Sequence, residues 1–283
     1  MRKHRNTKPK NVNYYQVPRK LWRIIKRELP KETKRTGPGR PRIPHRNVVN
    51  GLWYIMWTGC QWKAVKCEWF GVSSSVLHER FQTWQEEGRW ERIMKRTARF
   101  YARERRIAWQ WQSVDSKSVP APLDGEETGK NPTDRGKSGS KIHLLVDQRG
   151  APLTVLVSGA YQHVKWSAGD LIFSIVVVRT SQQQHMCLDK GYDFDDVHEI
   201  VTVTGYIKHI KNRRRRNEPP VPESRPEDKT FPAKRWVVER TLGWLNKRRS
   251  VCTRWCKKPE NWLAFLQFAC STVLHDWQFS DRF

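Results

Sequence analysis

Apolar positions in the first hundred residues recur at helical spacing. LWRIIKREL (21–29) places them three and four apart and stops before Pro30. KETKRTGPGRPR (31–42) has no such period and predicts a linker. From Arg46 the helical pattern returns in NVVNGLWYIMWTG, with Val48, Leu52, Ile55 and Met56 on one face and Gly59 where a C-terminal stop belongs. The serine run 73–75 supplies an N-cap for a helix through VLHERFQTWQEEG, with Val76 or Leu77, Phe81 and Trp84 inward and Gly88 at its end. WERIMKRTARFYARER continues as a further helix, which completes a helix-turn-helix-like unit.

Near residue 107 the texture changes. IAWQWQSVDSKSV alternates like a strand, and APLDGEETGKNPTDRGKSGS is a loop. KIHLLVD, the turn QRG and APLTVLVSGA form a hairpin. DLIFSIVVVRTSQQQ fits neither period. HMCLD (185–189) is a short buried strand ending in an acid, DDVHEIVTVTG a helix and YIKHIK a strand. RRRRNEPPVPESRPEDKTFP is a polar connection, KRWVVERTLGWLNKRRS an amphipathic helix and WLAFLQFACSTVLHDW a final helix. Strands mixed with helices predict an α/β domain. The expected division is a basic arm and short helix over 1–37, a small all-α domain over 38–105 and the α/β domain over 106–283.

Charge narrows the partner. Lys and Arg number 54 against 28 acids, a net charge of +26. Such a surface attracts a polyanion, and nucleic acid is the expected one, because binding releases condensed counterions. GRPR, with Arg40 and Arg42, resembles an arginine clamp for a narrow minor groove. The charge is uneven: residues 1–48 hold sixteen Lys/Arg and two acids, and 234–258 hold nine with Glu239 as the lone acid. The start MRKHRNTKPK lacks the apolar core of a signal peptide, and no apolar run approaches the roughly 18–20 residues that cross a bilayer. The expected setting is therefore cytoplasmic, at the nucleoid. Six scattered cysteines lack zinc spacing and predict reduced core thiols. Most of the fifteen tryptophans are expected in the core.

Two acids stand at the ends of predicted apolar strands, Asp115 in SVDSKS and Asp189 in CLDKGYD. In an α/β sheet such ends face the ligand crevice. On the helix over 234–250, Arg235, Glu239, Leu242 and Asn246 share a stripe beside the apolar row Val238, Leu242 and Leu245. Three carboxylates suit hard divalent cations, magnesium or manganese, and a pair of such ions serves phosphodiester chemistry. No phosphate-binding loop or dinucleotide fingerprint is present. His143 and His163 are expected to be structural.

VDSKSV, GKSGSKIHLLVDQRGAPL, CLDKGYD and RWVVERTLGWLNKRRS together resemble the catalytic half of bacterial insertion-sequence transposases of the DDE class. GRPR, NVVNGLWYIMWTGCQWKAV and VLHERFQTWQEEGRWERI resemble their small N-terminal helical domain, so the likeness runs collinearly over about 38–275. It implies a ribonuclease-H-like fold with a mixed sheet. It implies a triad carried by Asp115, Asp189 and Glu239, separated by 189 − 115 = 74 and 239 − 189 = 50 residues. Related enzymes surround the glutamate with Tyr-x2-Arg-x3-Glu-x6-Lys. Arg235 matches the arginine, whereas Pro232 and Asn246 stand at the tyrosine and lysine positions, with Lys247 adjacent. Lys117 matches the basic residue after the first aspartate.

The implied activity is cleavage at terminal inverted repeats and joining of the freed 3′-hydroxyl to target DNA, with two magnesium or manganese ions and a homodimer on duplex DNA. Arg40, Arg42, Lys117, Arg235, Arg240, Lys247, Arg248 and Arg249 are the candidate DNA contacts, together with the arm 1–20 and the helix 74–87. Two alternatives use the same residues differently: a same-fold nuclease that does not join ends, and a non-catalytic DNA-binding descendant of a transposase.

Overall fold

The computed structural model describes residues 15–32, 37, 41–105, 107–213 and 235–279. Most of the arm, Arg40, Pro232 and most of the polar connection lie outside them.

Five helices come first: α1 (Arg19–Glu28), α2 (His45–Thr58), the single turn α3 (Cys67–Phe70), α4 (Ser74–Glu86) and α5 (Arg89–Arg105). The predicted signals act where they were read. The Ser73 hydroxyl accepts the Val76 N–H at 3.4 Å, which caps α4, and Gly59 ends α2 at φ +64°, a conformation that L side chains resist. On α5 the buried positions Trp90, Ile93, Met94, Thr97, Ala98 and Tyr101 follow the three-and-four spacing of one helical face. The turn α3 falls in CQWKAVKCEWFG, where no period was legible.

The second part is a mixed sheet of β1 (Trp111–Pro120), β2 (Gly129–Lys130), β3 (Ser138–Asp147), β4 (Pro152–Gly159), β5 (Gln184–Leu188) and β6 (Tyr206–Ile210). Its main order is β4-β3-β1-β5-β6, with β2 pairing the start of β3. β3 runs antiparallel to both β1 and β4, whereas β1, β5 and β6 are mutually parallel. An antiparallel hairpin beside a parallel set is the ribonuclease-H-like arrangement implied above. Among the described residues the sheet is covered by α6 (Ser167–Phe173), α7 (Asp195–Val203), α8 (Trp236–Leu245) and α9 (Pro259–Phe279).

Strand alternation assigns the layers. Asp115 and Lys117 share one face of β1, and Lys117 Nζ donates to Asn246 Oδ1 at 2.7 Å, so α8 lies on that face. Ser116 points to the other face, as does its β3 partner His143, whose Nδ1 lies 2.9 Å from the Ser167 hydroxyl at the start of α6. The α8 prediction ran to Ser250, but the helix stops at Leu245 and Arg249–Val251 forms a 3-10 turn. The ambiguous stretch 170–184 divides into the end of α6, an irregular segment in which Val178 is exposed, and the first residue of β5.

One hydrophobic cluster runs through both parts. Its seam is aromatic: Phe81 stacks on Phe265 at 4.5 Å, and Trp90 and Trp53 meet Phe268 at 5.1 and 5.9 Å. The expectation for tryptophan holds at Trp53, Trp84, Trp90, Trp109, Trp111 and Trp262, all buried. Among the described residues no helix is long and apolar enough to cross a membrane.

Asp147, fully buried at the end of β3, ties three segments together. Its carboxylate accepts N–H groups from Arg149 at 2.9 Å, Ala151 at 2.8 Å and Ala108 at 3.1 Å, with the Tyr101 hydroxyl at 3.4 Å. It thereby joins α5, the lead into β1 and the β3–β4 turn. Asp147→Ala strands several buried donors, each costing about 1–3 kcal/mol. The expected loss is about 3–5 kcal/mol in a urea unfolding experiment; a loss under about 1 kcal/mol would contradict this assignment.

Candidate active site

Asp115 and Asp189 are brought together by strand pairing. The parallel register of β1 and β5 ends at Ser113↔Cys187, and two further residues along each chain lead to Asp115 and Asp189. Adjacent strands are about 4.8 Å apart, so both carboxyls start from neighbouring positions. Asp189 follows the last residue of β5 and opens a short 3-10 turn. Glu239 arrives from the first turn of α8.

Arg235, immediately before α8, stands among these acids. Its Nη1 donates to Asp189 Oδ1, and its Nη2 donates to Glu239 Oε1 at 3.1 Å. Asp115 feels the same group. Burial pushes its carboxyl up to about 6, the Ser116 N–H bond and the Arg235 guanidinium pull it down, and Asp189 and Glu239 push it further up. Three carboxylates therefore converge electrostatically on one cation. Arg235 itself is held more firmly protonated by Glu239 and Asp189, despite partial burial. The side chains of Asp189 and Glu239 remain 36% and 53% exposed, which leaves the cluster open to an approaching ligand.

Among the described residues no three His, Cys, Asp or Glu side chains form a ready metal cage. The chemistry of the set nevertheless fits a hard divalent cation. All three donors are carboxylates, and the position between Asp189 and Glu239 already holds a positive charge. A second acid in CLDKGYD, Asp193, is spoken for structurally: Oδ1 lies 2.8 Å from His198 Nε2 and Oδ2 accepts the Arg213 N–H at 2.7 Å.

The expected phosphate contacts divide by environment. Lys117, the basic residue after the first aspartate, donates to Asn246, which stands at the signature lysine position. Lys247 and Arg249 are exposed just beyond α8, and Arg42 is exposed ahead of α2. Arg240 is half-buried between the rings of Trp236 and Trp244, at 4.7 and 4.6 Å, and donates to the Arg149 carbonyl at 2.7 Å. Arg248 requires a correction: it is 3% exposed, bonded to Thr272, to the Trp244 carbonyl and to Asp276, and a phosphate cannot reach it. Its place in a basic run concealed this.

An open cleft of about 650 Å³ lies between the 30–45 segment and α4, lined in part by Lys31, Arg42, Arg80 and Trp84. His143 is buried against Ser158 and Ser167 and held down to about 4 by burial, while His163 is exposed. Sequence reasoning passed over Tyr192, whose buried hydroxyl is pushed up first by burial and then by Asp115, beside Ser116 and Ser167. Its closeness to Asp189 in CLDKGYD was the available signal.

Comparisons with known proteins identify the family. A family model described as "Transposase DDE domain" matches residues 112–274, and one described as "Putative transposase of IS4/5 family" matches 17–94. A Burkholderia cepacia protein named "Putative transposase for insertion sequence element IS402" is 31% identical over 168 residues, 56% of this chain and 72% of that one. A second from the same organism, "Insertion element IS402 uncharacterized 16.2 kDa protein", is 27% identical over 40% of this chain and 78% of its own length. Among solved structures, the Mos1 mariner paired end complex with Mn aligns over 94% of this chain and 88% of that one at 12% identity, with a TM-score of 0.27, too low to bear on the site. The domain match spans more than half of the chain and contains all three acids and Arg235, so this protein belongs to the DDE transposases of insertion sequences.

Proposed function

We propose that this transposase acts on the terminal inverted repeats of its own element through Asp115, Asp189 and Glu239, and joins the freed ends to target DNA. The observation that carries the reading is the convergence of these carboxylates around Arg235 at the mouth of the β1–β5 pair. Residues 106–283 are the proposed catalytic unit and 38–105 the proposed DNA-binding unit, working as a homodimer that holds two ends.

In the cutting step, water adds to phosphorus and the 3′-oxygen leaves as a free hydroxyl. In the joining step that hydroxyl attacks a target phosphodiester, and the target's own 3′-oxygen leaves. Neither step needs a covalent link to protein. The family's divalent cations, proposed here as two magnesium or manganese ions, supply charge neutralisation at the phosphate and an activated nucleophile. The three carboxylates hold that charge. Arg235, if its carboxylate partners were shared with such an ion, would be available to the phosphate beside Lys117, Lys247 and Arg249.

The direct test is cleavage of a labelled terminal-repeat duplex. Asp115→Asn, Asp189→Asn and Glu239→Gln are each expected to lower cleavage by at least about 10³-fold while binding persists, and full cleavage by any one removes that residue from the site. A strand-transfer product from the unmodified protein separates a transposase from a plain nuclease.

A stability measurement examines the site without the reaction. The Asp115 carboxyl titrates near 6 in the fold, above its ordinary 3.8. Below about pH 4 it is protonated whether folded or unfolded, and the raised value costs nothing. As pH rises through 4 to 6 the unfolded chain ionises first, and the fold loses stability by about 2–3 kcal/mol. Asp115→Asn removes this cost, so the metal-free variant is expected to unfold at higher denaturant than the parent at pH 8 and at equal denaturant near pH 3.5. Equal midpoints at both pH values would mean that the carboxyl is not under this strain.

A further inference from the structure

A second feature of the charge distribution lies outside the acid cluster and outside every residue singled out above. Helix α5 carries Arg92, Arg96, Arg99 and Arg103, spaced by four, three and four residues, which places them on one stripe. The stripe extends over roughly 16 Å at 1.5 Å per residue. Helix α1 packs against α5 and contributes Arg27. Between the two helices lies a cleft of about 280 Å³ lined by Ile24, Arg27, Arg96, Arg99, Phe100 and Arg103. Four guanidinium groups thus surround one small concavity with an apolar floor.

The acids nearby do not balance them. Glu28 pairs with Arg96 and, at 3.8 Å, with Arg92. Among the described residues, Arg27, Arg99 and Arg103 have no acidic partner; Arg103 lies over the Phe100 ring at 5.4 Å. All three are exposed. Three unneutralised like charges around one cleft repel each other, and an anion that bridges them relieves the repulsion. The groups are arginines, which suit phosphate oxygens, and Arg27 faces Arg99 and Arg103 across the cleft from a second helix. Arg99 and Arg103, about 6 Å apart along α5 at 1.5 Å per residue, match phosphates about two nucleotides apart on a duplex strand, at about 3.4 Å of axial rise per nucleotide. No amide side chain lines the cleft, so adenine edges are not read there, and sequence independence rests on the arginines meeting phosphates rather than guanine edges.

We propose that the α1–α5 arginine cleft grips the backbone of duplex DNA independently of sequence, as a contact surface separate from the catalytic carboxylates. The inference rests on the transposase reading only for the identity of the polyanion. Its role is to hold DNA beside the element end, flank or target, where no fixed sequence is available to be read.

The test is a salt series. Full-length protein and the triple variant Arg27→Gln/Arg99→Gln/Arg103→Gln are titrated by fluorescence anisotropy with a terminal-repeat duplex and with an unrelated duplex of equal length, from 50 to 200 mM salt. Loss of three phosphate contacts lowers the slope of log K against log salt by about 2.7, so the ratio of affinities at the two salt limits shrinks by about 40-fold. The change is expected on both duplexes alike. The triple Arg→Lys variant retains charge and is expected to keep the slope, and matched thermal unfolding of all three proteins excludes misfolding. An unchanged slope in the Gln variant overturns the proposal, as does a change confined to the terminal repeat, or equal loss in the Lys variant. Asp115→Asn provides the separation from the catalytic reading: it is expected to lose cleavage with its salt slope intact.

Discussion

Three negative side chains must be held together at the edge of a sheet, and the fold is arranged around the repulsion that this creates. Two carboxylates at neighbouring strand positions repel by roughly 3 kcal/mol at an effective dielectric near 20. Arg235 offsets much of this by standing between Asp189 and Glu239 and within electrostatic reach of Asp115. The arginine lies one helical turn before the glutamate, so the chain brings the countercharge with the charge. Asp115 shows what is left uncompensated, because burial and the two other acids still push its carboxyl up to about 6. A site of this kind is held against its own preference by the structure around it.

That structure is a sequence of dependences leading back to one turn. Asp189 needs the β1–β5 pairing, and Glu239 needs α8 to lie over the Asp115 face of β1. The middle of α8 is fastened to the β3–β4 turn: Thr241 donates to the Gly150 carbonyl at 2.9 Å and Arg240 to that of Arg149. Gly150 sits at φ +91°, and a Cβ there would meet the Thr241 hydroxyl at 2.5 Å, so both conformation and closeness demand glycine. The turn is set by Asp147. At its exit α8 is stapled to α9 through Arg248, Thr272 and Asp276, and α9 carries the aromatic seam shared with the helical unit. The placement of the third acid thus draws on contacts made from α5 to the end of the chain.

Local signals in the sequence were strong wherever the cause of a structure was itself local. The Ser73 cap, the Gly59 stop and the inward face of α4 needed only neighbouring residues, and α2, α4 and β5 begin and end within a residue or two of where the pattern put them, whereas β3 starts three residues earlier, at Ser138. Asp189 was legible because it closes an apolar strand and Glu239 because it stands alone in a basic segment; Asp115, expected at a strand end, lies in the middle of β1, which runs on to Pro120 along β3. Features set by distant packing were not legible. Nothing between 234 and 250 marks Leu245 as the last helical residue, since the chain turns there to meet α9. Arg248 and Arg249 are alike on the page, but one is buried against Asp276 and the other faces solvent. The convergence on Arg235 is a tertiary fact of the same kind.

The net charge of +26 is consequently not a uniform coat. Some guanidinium groups are structural. Arg254 is buried and donates to the carbonyls of Glu127 and Cys256 at 2.8 Å and to the Ser140 hydroxyl at 2.7 Å, fastening the loop before β3 to the chain before α9. Arg248 and the stacked Arg240 also spend their donors within the protein. Arg235 spends its donors on carboxylates that a metal ion would claim. In the proposed reaction a polyanion would meet two populations of basic residues: those already exposed, which would set how strongly DNA is held, and Arg235, whose release would depend on another cation taking its place among the acids. Affinity and the readiness of the site are thereby carried by different arginines, and a change in salt acts on the first far more than on the second, because screening weakens exposed charges most.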